Sequence, residues 1–130
     1  MAKNKVVLVI DDVESLLQFI RGSLAGYPVD IVTAVDGRSG LTLAQELRPD
    51  VVLLDLALPV MTGWEVLEAM KDDPATADVP IVVVTAHGDS TAAARARDLG
   101  AAGFMPKPFR PTELRRIISR YLAEDDAIAV

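Results

Sequence analysis

The chain has 130 residues, 51% of them hydrophobic, no cysteine and a formal net charge of −6. A chain of this length forms one domain with a full apolar core, and without cysteine it can have neither disulfides nor thiolate metal sites. The negative charge argues against direct binding to nucleic acid or to an anionic membrane surface. The apolar run at residues 6–10 is too short for a signal-peptide core or a membrane span. We therefore expect a cytoplasmic protein.

Apolar runs and helical patterns alternate along the chain. Runs of valine and isoleucine without polar alternation are typical of strands buried on both faces, and apolar residues three or four apart are typical of amphipathic helices. In chain order, the first half predicts a strand at residues 6–10, a helix with Val13, Leu17, Ile20 and Leu24 on one face that ends by Gly26 and Pro28, a weaker strand at residues 31–35, and a helix marked by Leu41, Leu43, Ala44 and Leu47 between Gly37 and Pro49.

The second half continues this alternation. It predicts a strand at residues 51–54, a helix marked by Trp64, Leu67 and Met70 that stops at Pro74, a strand at residues 81–84, an alanine-rich helix over residues 90–99 that stops at Gly100, a strand at residues 101–105, and a helix from about Pro111 that buries Leu114, Ile117, Ile118 and Tyr121. Five strand–helix units in strict alternation predict an α/β fold, with a parallel sheet covered by helices on both faces.

Polar side chains follow four of the predicted strands. Asp11 and Asp12 follow the first strand, and Asp55, Thr85 and Lys107 follow or end the third, fourth and fifth. Because ligands of parallel sheets bind beyond the carboxyl ends of the strands, we expect these residues to converge at one edge. Two carboxylates about 5 Å apart repel by roughly 3 kcal/mol at an effective dielectric of about 20. Either one acid is protonated or the cluster binds a cation, and an all-oxygen site of this kind suits Mg²⁺. An acidic pair after a strand also commonly caps the next helix.

Six segments resemble the receiver domains of response regulators. They are residues 9–12 (VIDD), 34–37 (AVDG), 54–59 (LDLALP), 61–63 (MTG), 84–86 (VTA) and 103–109 (GFMPKPF). The resemblance covers about residues 4–122 and implies a doubly wound (βα)5 flavodoxin-like sandwich, with a parallel sheet in the order 2-1-3-4-5. We expect the receiver domain at residues 1–122 and a short acidic tail at residues 123–130.

The resemblance also implies a metal site and a phosphorylation site. Asp55 is expected to accept a phosphoryl group and, with Asp12, to bind Mg²⁺ (or Mn²⁺) directly. Asp11 would act largely through a metal-bound water, and the backbone carbonyl of Ala57 would be a further ligand. Lys107 is expected to pair with a phosphoryl oxygen.

The same resemblance implies a conformational switch, a cis peptide bond and a residue beside the attacking water. Thr85 is expected to contact a phosphoryl oxygen and to form the conformational switch together with Phe104. The Lys107–Pro108 peptide bond is expected to be cis, which only X–Pro bonds adopt cheaply. His87, the only histidine, lies two residues after Thr85, where it would flank the attacking water.

The implied function is a phosphorylation-dependent switch of a two-component or phosphorelay system. The donor would be a histidine kinase or a histidine phosphotransfer protein, with Leu16 and Phe19 as candidate docking residues. The surface formed by the fourth helix, the fifth strand and the fifth helix would control a downstream protein target. Such a domain is not a turnover enzyme, since it catalyses only its own phosphorylation and dephosphorylation. A weak or phosphorylation-dependent dimer stays open.

Two other classes of protein and a second form of receiver are alternatives to this interpretation. A Mg²⁺-dependent phosphatase with an aspartyl nucleophile would need an acid/base residue at position 57, where this chain has alanine. A nucleotide- or flavin-binding module would need phosphate-binding donors after the first strand, and no G-x-G-x-x-G sequence occurs. Within the receiver interpretation, we expect a stand-alone chemotaxis-type receiver, and the alternative is a module excised from a longer response regulator or hybrid kinase.

Overall fold

The computed structural model describes residues 4–86 and 90–122, so His87 and the acidic tail lie outside the described residues. The described chain forms a five-stranded parallel sheet in the order β2-β1-β3-β4-β5, which confirms the expected α/β sandwich. Its elements are β1 (Lys5–Ile10), α1 (Glu14–Ser23), β2 (Val29–Ala34), α2 (Gly37–Leu47), β3 (Val51–Leu54), α3 (Gly63–Asp72), β4 (Ile81–Thr85), α4 (Ser90–Asp98), β5 (Gly103–Pro106) and α5 (Pro111–Leu122).

The two faces of the sheet bury separate apolar clusters. Alternate side chains of a strand point to opposite faces, and in β1 both sets are apolar. Leu8 and Ile10 pack on the face covered by α2, α3 and α4, whereas Val7 and Val9 pack on the face covered by α1 and α5. The strands β3 and β4 are buried along their whole length. Burial on both faces explains why the central strands lack polar alternation.

Local sequence signals fix where two of the helices begin. The Asp36 side chain accepts a hydrogen bond from the backbone N–H of Ser39 and thereby caps α2. At α3, Thr62 and Glu65 form a reciprocal capping box, which satisfies backbone donors that the helix itself leaves unpaired. Asp36 lies two residues after β2, and Thr62 ends the longer loop between β3 and α3, so both caps help to fix loops at the carboxyl edge of the sheet.

The two edge strands and two predicted helical faces differ most from the structure, whereas β1 and β4 are each one residue longer than predicted. β2 covers residues 29–34 rather than 31–35, because its pairing with β1 begins at Lys5 and Val29. β5 covers residues 103–106 rather than 101–105, because it pairs with β4 from Val82 onward. Val13 was expected on the buried face of α1, but it is the N-cap residue and is 45% exposed. Leu47 is 42% exposed because it is the last residue of α2.

Within residues 4–86 and 90–122, no helix combines the length and the apolar character that a membrane span requires.

Candidate functional site

The carboxyl ends of β1 and β3 bring two aspartates side by side. Asp11 directly follows β1, and its backbone N–H donates to the carbonyl of Ala34 at the end of β2 at 3.0 Å. Asp55 directly follows β3, and its backbone N–H donates to the carbonyl of Ile10 at 3.0 Å. The hydrogen bonds of the sheet therefore continue one residue past the strands and hold both aspartates at the same edge.

Asp11, Asp12 and Asp55 form a three-carboxylate cluster. One carboxylate oxygen from each residue can be chosen so that all three oxygens lie within 4.8 Å of one another. Asp11 and Asp55 are buried, with 2% and 6% exposure, whereas Asp12 is exposed. The expected convergence of these residues is confirmed. A hard divalent cation such as Mg²⁺ fits this all-oxygen donor set.

Lys107 brings a positive charge to the cluster. Its Nζ lies 2.8 Å from Oδ2 of Asp11 and 3.6 Å from Oδ2 of Asp55. The backbone N–H of Lys107 donates to the carbonyl of Thr85 at 2.9 Å, which ties the loop after β5 to the end of β4. The Lys107–Pro108 peptide bond is cis, as expected. The ammonium therefore joins the site that the sequence predicts.

Burial raises the pKa of Asp55 above its ordinary value. Removal of the carboxylate from water is the largest cause, and the neighbouring charge of Asp11 acts in the same direction. The ammonium of Lys107 lowers the pKa, and the backbone N–H groups of Ala57 and Leu56 lower it less. The net effect is a raised pKa of Asp55. Positive charge beside Asp55 therefore favours its ionised form, which is the nucleophile.

Asp11 has both roles that the sequence suggests for it, since it caps the turn into the next helix and belongs to the acidic site. Its Oδ1 accepts a hydrogen bond from the backbone N–H of Val13 at 2.9 Å, so it fixes the turn that leads into α1. Its Oδ2 pairs with Lys107 at 2.8 Å and belongs to the carboxylate cluster. Local hydrogen bonding and membership of the site are therefore compatible, because the two oxygens do different things.

The remaining site residues lie close to this edge or on the strands that lead to it. Ala57 is exposed in the loop after Asp55, and its carbonyl as a metal ligand stays a prediction. Thr85 is fully buried as the last residue of β4. Phe104 is partly buried in β5, pairs in register with Val83 and packs against the cluster under α2, α3 and α4. The switching role of Thr85 and Phe104 also stays a prediction.

Gly63 has a specific role that the sequence interpretation did not assign. It begins α3 close to the backbone of Asp55 and Leu56, and its backbone N–H donates to the carbonyl of Leu56 at 3.0 Å. A Cβ at this position would lie 2.6 Å from Cα of Leu56 and would collide with the backbone carbonyl of Asp55. Only glycine allows this approach. The T-x-x-E signature of the capping box at Thr62 is the sequence signal that could have located the start of α3.

Comparison with known proteins identifies response regulators as relatives of this chain. The model of the response regulator receiver domain family matches residues 7–119. A relative in Mycobacterium tuberculosis, the DNA-binding response regulator MtrA, is 40% identical over 121 residues, which cover 92% of this chain and 52% of the relative. The chain thus spans about half the length of this relative. Its DNA-binding description applies to the whole relative, and the expectation that this chain itself does not bind nucleic acid stays a prediction.

Solved structures share the fold. The chemotaxis response regulator CheY4 of Vibrio cholerae is 33% identical with a TM-score of 0.84, and the match covers 92% of this chain and 99% of that structure. The receiver domain of the sensor histidine kinase PA1611 from Pseudomonas aeruginosa, solved with magnesium in its active site cleft, has a TM-score of 0.83. The match to that domain covers 92% of this chain and 98% of that one, and at 24% identity it shows the fold alone.

Proposed function

Because this chain belongs to the response regulator receiver domain family, we propose that it is a phosphorylation-dependent signalling switch in which Asp55 accepts a phosphoryl group. The donor is a histidine kinase or a histidine phosphotransfer protein of a two-component or phosphorelay system, and the exchange takes place in the cytoplasm. The observation that carries this proposal is the convergence of three carboxylates within 4.8 Å, beside an ammonium group.

The same carboxylates are the proposed metal ligands. Asp12 and Asp55 would bind Mg²⁺ or Mn²⁺ directly, Asp11 would act largely through a water, and the backbone carbonyl of Ala57 would complete the protein ligands. When bound, the metal ion supplies positive charge that offsets the charge on the phosphoryl oxygens. The donor set supports this assignment, since hard cations prefer carboxylate and carbonyl oxygen.

The chemical step is an in-line displacement by Asp55. A carboxylate oxygen of Asp55 forms the new O–P bond while the P–N bond to the donor histidine breaks, and the imidazole leaves with a proton from solvent. Lys107 moves its ammonium toward a phosphoryl oxygen. In the reverse direction of the switch, a water attacks the phosphorus and regenerates the carboxylate, so the chain acts on its own phosphoryl group and is not a turnover enzyme.

The proposed readout couples the site to the surface formed by α4, β5 and α5. The hydroxyl of Thr85 donates to a phosphoryl oxygen and moves inward, which gives the ring of Phe104 room to change position. Phenylalanine has no hydroxyl, so this switch operates by packing alone. The phosphoryl group favours the active arrangement through contacts that it makes only there, and the α4–β5–α5 surface then controls a protein target.

Two forms of the protein fit this role. The chain acts either as a stand-alone receiver or as the receiver module of a longer regulator or hybrid kinase, and its coverage of about half of the MtrA relative supports considering the second form. A Mg²⁺-dependent phosphatase is disfavoured because Ala57 cannot transfer a proton. Sustained hydrolysis of small phosphomonoesters by the purified chain would revive that alternative.

The test is labelling by acetyl phosphate, a small donor that needs no docking surface. We expect the wild-type chain to be labelled with Mg²⁺ and not with a chelator, and Asp55→Asn to be unlabelled under both conditions. Asp30→Asn, which changes an exposed aspartate on the edge strand β2, is the matched control and should label like the wild type. Labelling of Asp55→Asn at the wild-type level would refute the proposal.

A further inference from the structure

A groove lies at the amino ends of β3 and β4, at the edge of the sheet opposite to the carboxylate cluster. Its volume is about 400 Å³, and it is lined by the loop between α2 and β3, the loop between α3 and β4, and the last turn of α5. Pro49 and Val79 are buried in its wall, and Pro74, Pro80 and Tyr121 add further apolar surface. A groove of this size can hold a small organic molecule.

Hydrogen bonds from α3 fix the wall that the loop between α3 and β4 forms. The Nζ of Lys71 donates to the carbonyls of Ala77 at 2.9 Å and Val79 at 3.2 Å. The fully buried hydroxyl of Thr76 donates to the carbonyl of Met70 at 2.8 Å. The fold therefore shapes the groove before any ligand binds, which lowers the cost of binding.

Two arginines line the groove without a partner of their own. Arg48 and Arg120 are both exposed, and neither guanidinium makes an ion pair, a hydrogen bond or a ring contact with any part of the chain at residues 4–86 or 90–122. An arginine carries its positive charge at every physiological pH. The groove therefore holds two positive charges that these residues do not neutralise, in a chain whose net charge is −6.

The two carboxylates that line the groove are engaged elsewhere. Oδ2 of Asp50 accepts a hydrogen bond from the backbone N–H of Val6 at 2.7 Å. The charge of Asp78 acts on the ammonium of Lys71: burial lowers the pKa of Lys71, and Asp78 opposes that shift. The charge that the groove leaves available for a ligand is therefore positive.

Arg48 has a strained backbone conformation. Its φ is +45°, and it is the C-cap residue of α2, a place where glycine or asparagine is usual. Its backbone N–H donates to the carbonyl of Ala44 at 2.9 Å, but no contact of its side chain with the described residues offsets the strain. Strain that the fold does not need is typical of functional positions.

We propose that this groove binds a small phosphate monoester of the nucleotide class, with Arg48 and Arg120 on its phosphate. A guanidinium has paired N–H donors that match phosphate oxygens, and two guanidinium groups match the nearly two negative charges of a phosphate monoester at neutral pH. The groove is larger than a phosphate group alone, so its prolines and the ring of Tyr121 contact the base. This site does not depend on phosphorylation of Asp55.

The experiment titrates three probes into the metal-free chain and follows backbone amide signals by NMR. The probes are inorganic phosphate, ribose 5-phosphate and adenosine 5′-monophosphate, at constant ionic strength and with a chelator present. Each titration is repeated on Arg48→Gly and Arg120→Gln, and thermal unfolding is measured on every chain. Arg116→Gln is the matched control, because it removes an exposed charge from α5 that does not line the groove.

We expect saturable shifts at the residues of the groove, with the tightest binding for adenosine 5′-monophosphate and the weakest for inorganic phosphate. Arg48→Gly and Arg120→Gln should each weaken binding of adenosine 5′-monophosphate about tenfold, because each removes charged hydrogen bonds to the phosphate. Arg48→Gly should also unfold at a temperature about 2–4 °C higher, because glycine adopts a positive φ without strain. Arg116→Gln should bind like the wild type.

Three results would overturn the proposal: shifts that do not saturate, equal affinity for inorganic phosphate and adenosine 5′-monophosphate, or binding that survives Arg48→Gly undiminished. A lower unfolding temperature of Arg48→Gly would also overturn it, because Arg48 would then serve the fold rather than a ligand.

Discussion

The ammonium of Lys107 lies 2.8 Å from a carboxylate oxygen of Asp11 and is 3.6 Å from Asp55. Lys107 thus pairs most closely with an aspartate that is expected to act through a metal-bound water, rather than with the expected phosphoacceptor. In this arrangement the ammonium partly offsets the repulsion among the carboxylates. A divalent cation at the cluster would share the site with this charge, and a phosphoryl group on Asp55 would offer the ammonium a new partner.

Replacing Lys107 by methionine should strengthen metal binding and weaken phosphorylation. Removal of the ammonium leaves the carboxylates without a nearby cation, so we expect Mn²⁺ to bind several-fold more tightly in calorimetric titrations. Labelling by acetyl phosphate should slow by at least about tenfold, because a donor to the phosphoryl oxygens is lost. Arg116→Gln, which removes an exposed charge from α5, is the control and should change neither quantity. Unchanged metal affinity in Lys107→Met would contradict this view of the site.

The raised pKa of Asp55 predicts a pH-dependent cost to the metal-free fold. The folded chain binds the proton of Asp55 more tightly than the unfolded chain, so this proton stabilises the fold. The stabilisation is fully present below the ordinary aspartate pKa and is lost as the pH rises through the raised pKa. We expect metal-free Asp55→Asn to be more stable than the wild type at neutral pH, with the difference shrinking toward acidic pH.

Urea unfolding at several pH values checks this expectation, and Mg²⁺ provides a second test. The metal should stabilise the wild type more than Asp55→Asn, because it binds to the ionised carboxylate. A stability difference between the two chains that stays constant across this pH range would show that burial of Asp55 does not govern its titration.

Two glycine-to-alanine substitutions distinguish a steric clash of the new Cβ with neighbouring backbone from the effect of alanine on helix propensity. Gly63→Ala should lower the free energy of unfolding by roughly 1–3 kcal/mol and slow labelling, because the new Cβ collides with the backbone at Asp55 and Leu56. Gly22→Ala lies within α1 with nothing within 4 Å of the new Cβ, and it should raise the free energy of unfolding by about 0.5–1 kcal/mol. Chemical denaturation measures both, and equal effects of the two changes would contradict the assigned role of Gly63.

A cation–π contact links α3 to α4. The guanidinium of Arg95 lies 4.1 Å from the ring centroid of Trp64, and Ala96 is the one fully buried residue among the described residues of α4. We expect Arg95→Gln to cost about 0.5–1 kcal/mol in unfolding free energy and to change the emission of the only tryptophan. Arg97→Gln, two residues along the same helix, should leave the emission unchanged. Identical spectra for the wild type and Arg95→Gln would show that the contact does not form in solution.

Much of the fold follows from the sequence because the central strands are buried on both faces. Their valine and isoleucine runs have no polar interruption, and Asp11 and Asp55 stand directly where those runs end. Boundaries at the edge strands were less accurate. β2 and β5 each pair with a single neighbour, so their lengths depend on register rather than on composition. Val13 and Leu47 were placed on helical faces by periodicity, which does not distinguish the middle of a helix from its ends.

Details of the site depend on the folded arrangement of its side chains. The sequence predicts that Lys107 reaches the cluster, but the choice between Asp11 and Asp55 depends on side-chain geometry. Likewise, the positive φ of Val60 arises from the loops that support it, and valine by itself argues against that conformation. The contact between Trp64 and Arg95 depends on how α4 packs against α3, which no local pattern encodes.

The most direct test of the central claim is to locate the phosphoryl group after labelling. The wild-type chain is treated with acetyl phosphate and Mg²⁺, the product is reduced with borohydride, which converts an aspartyl phosphate into homoserine, and the peptides are sequenced by mass spectrometry. We expect homoserine at position 55, dependent on Mg²⁺, with positions 11 and 12 unmodified. Modification at another aspartate, or labelling at position 55 that persists in a chelator, would contradict the assignment of Asp55 as a metal-assisted phosphoacceptor.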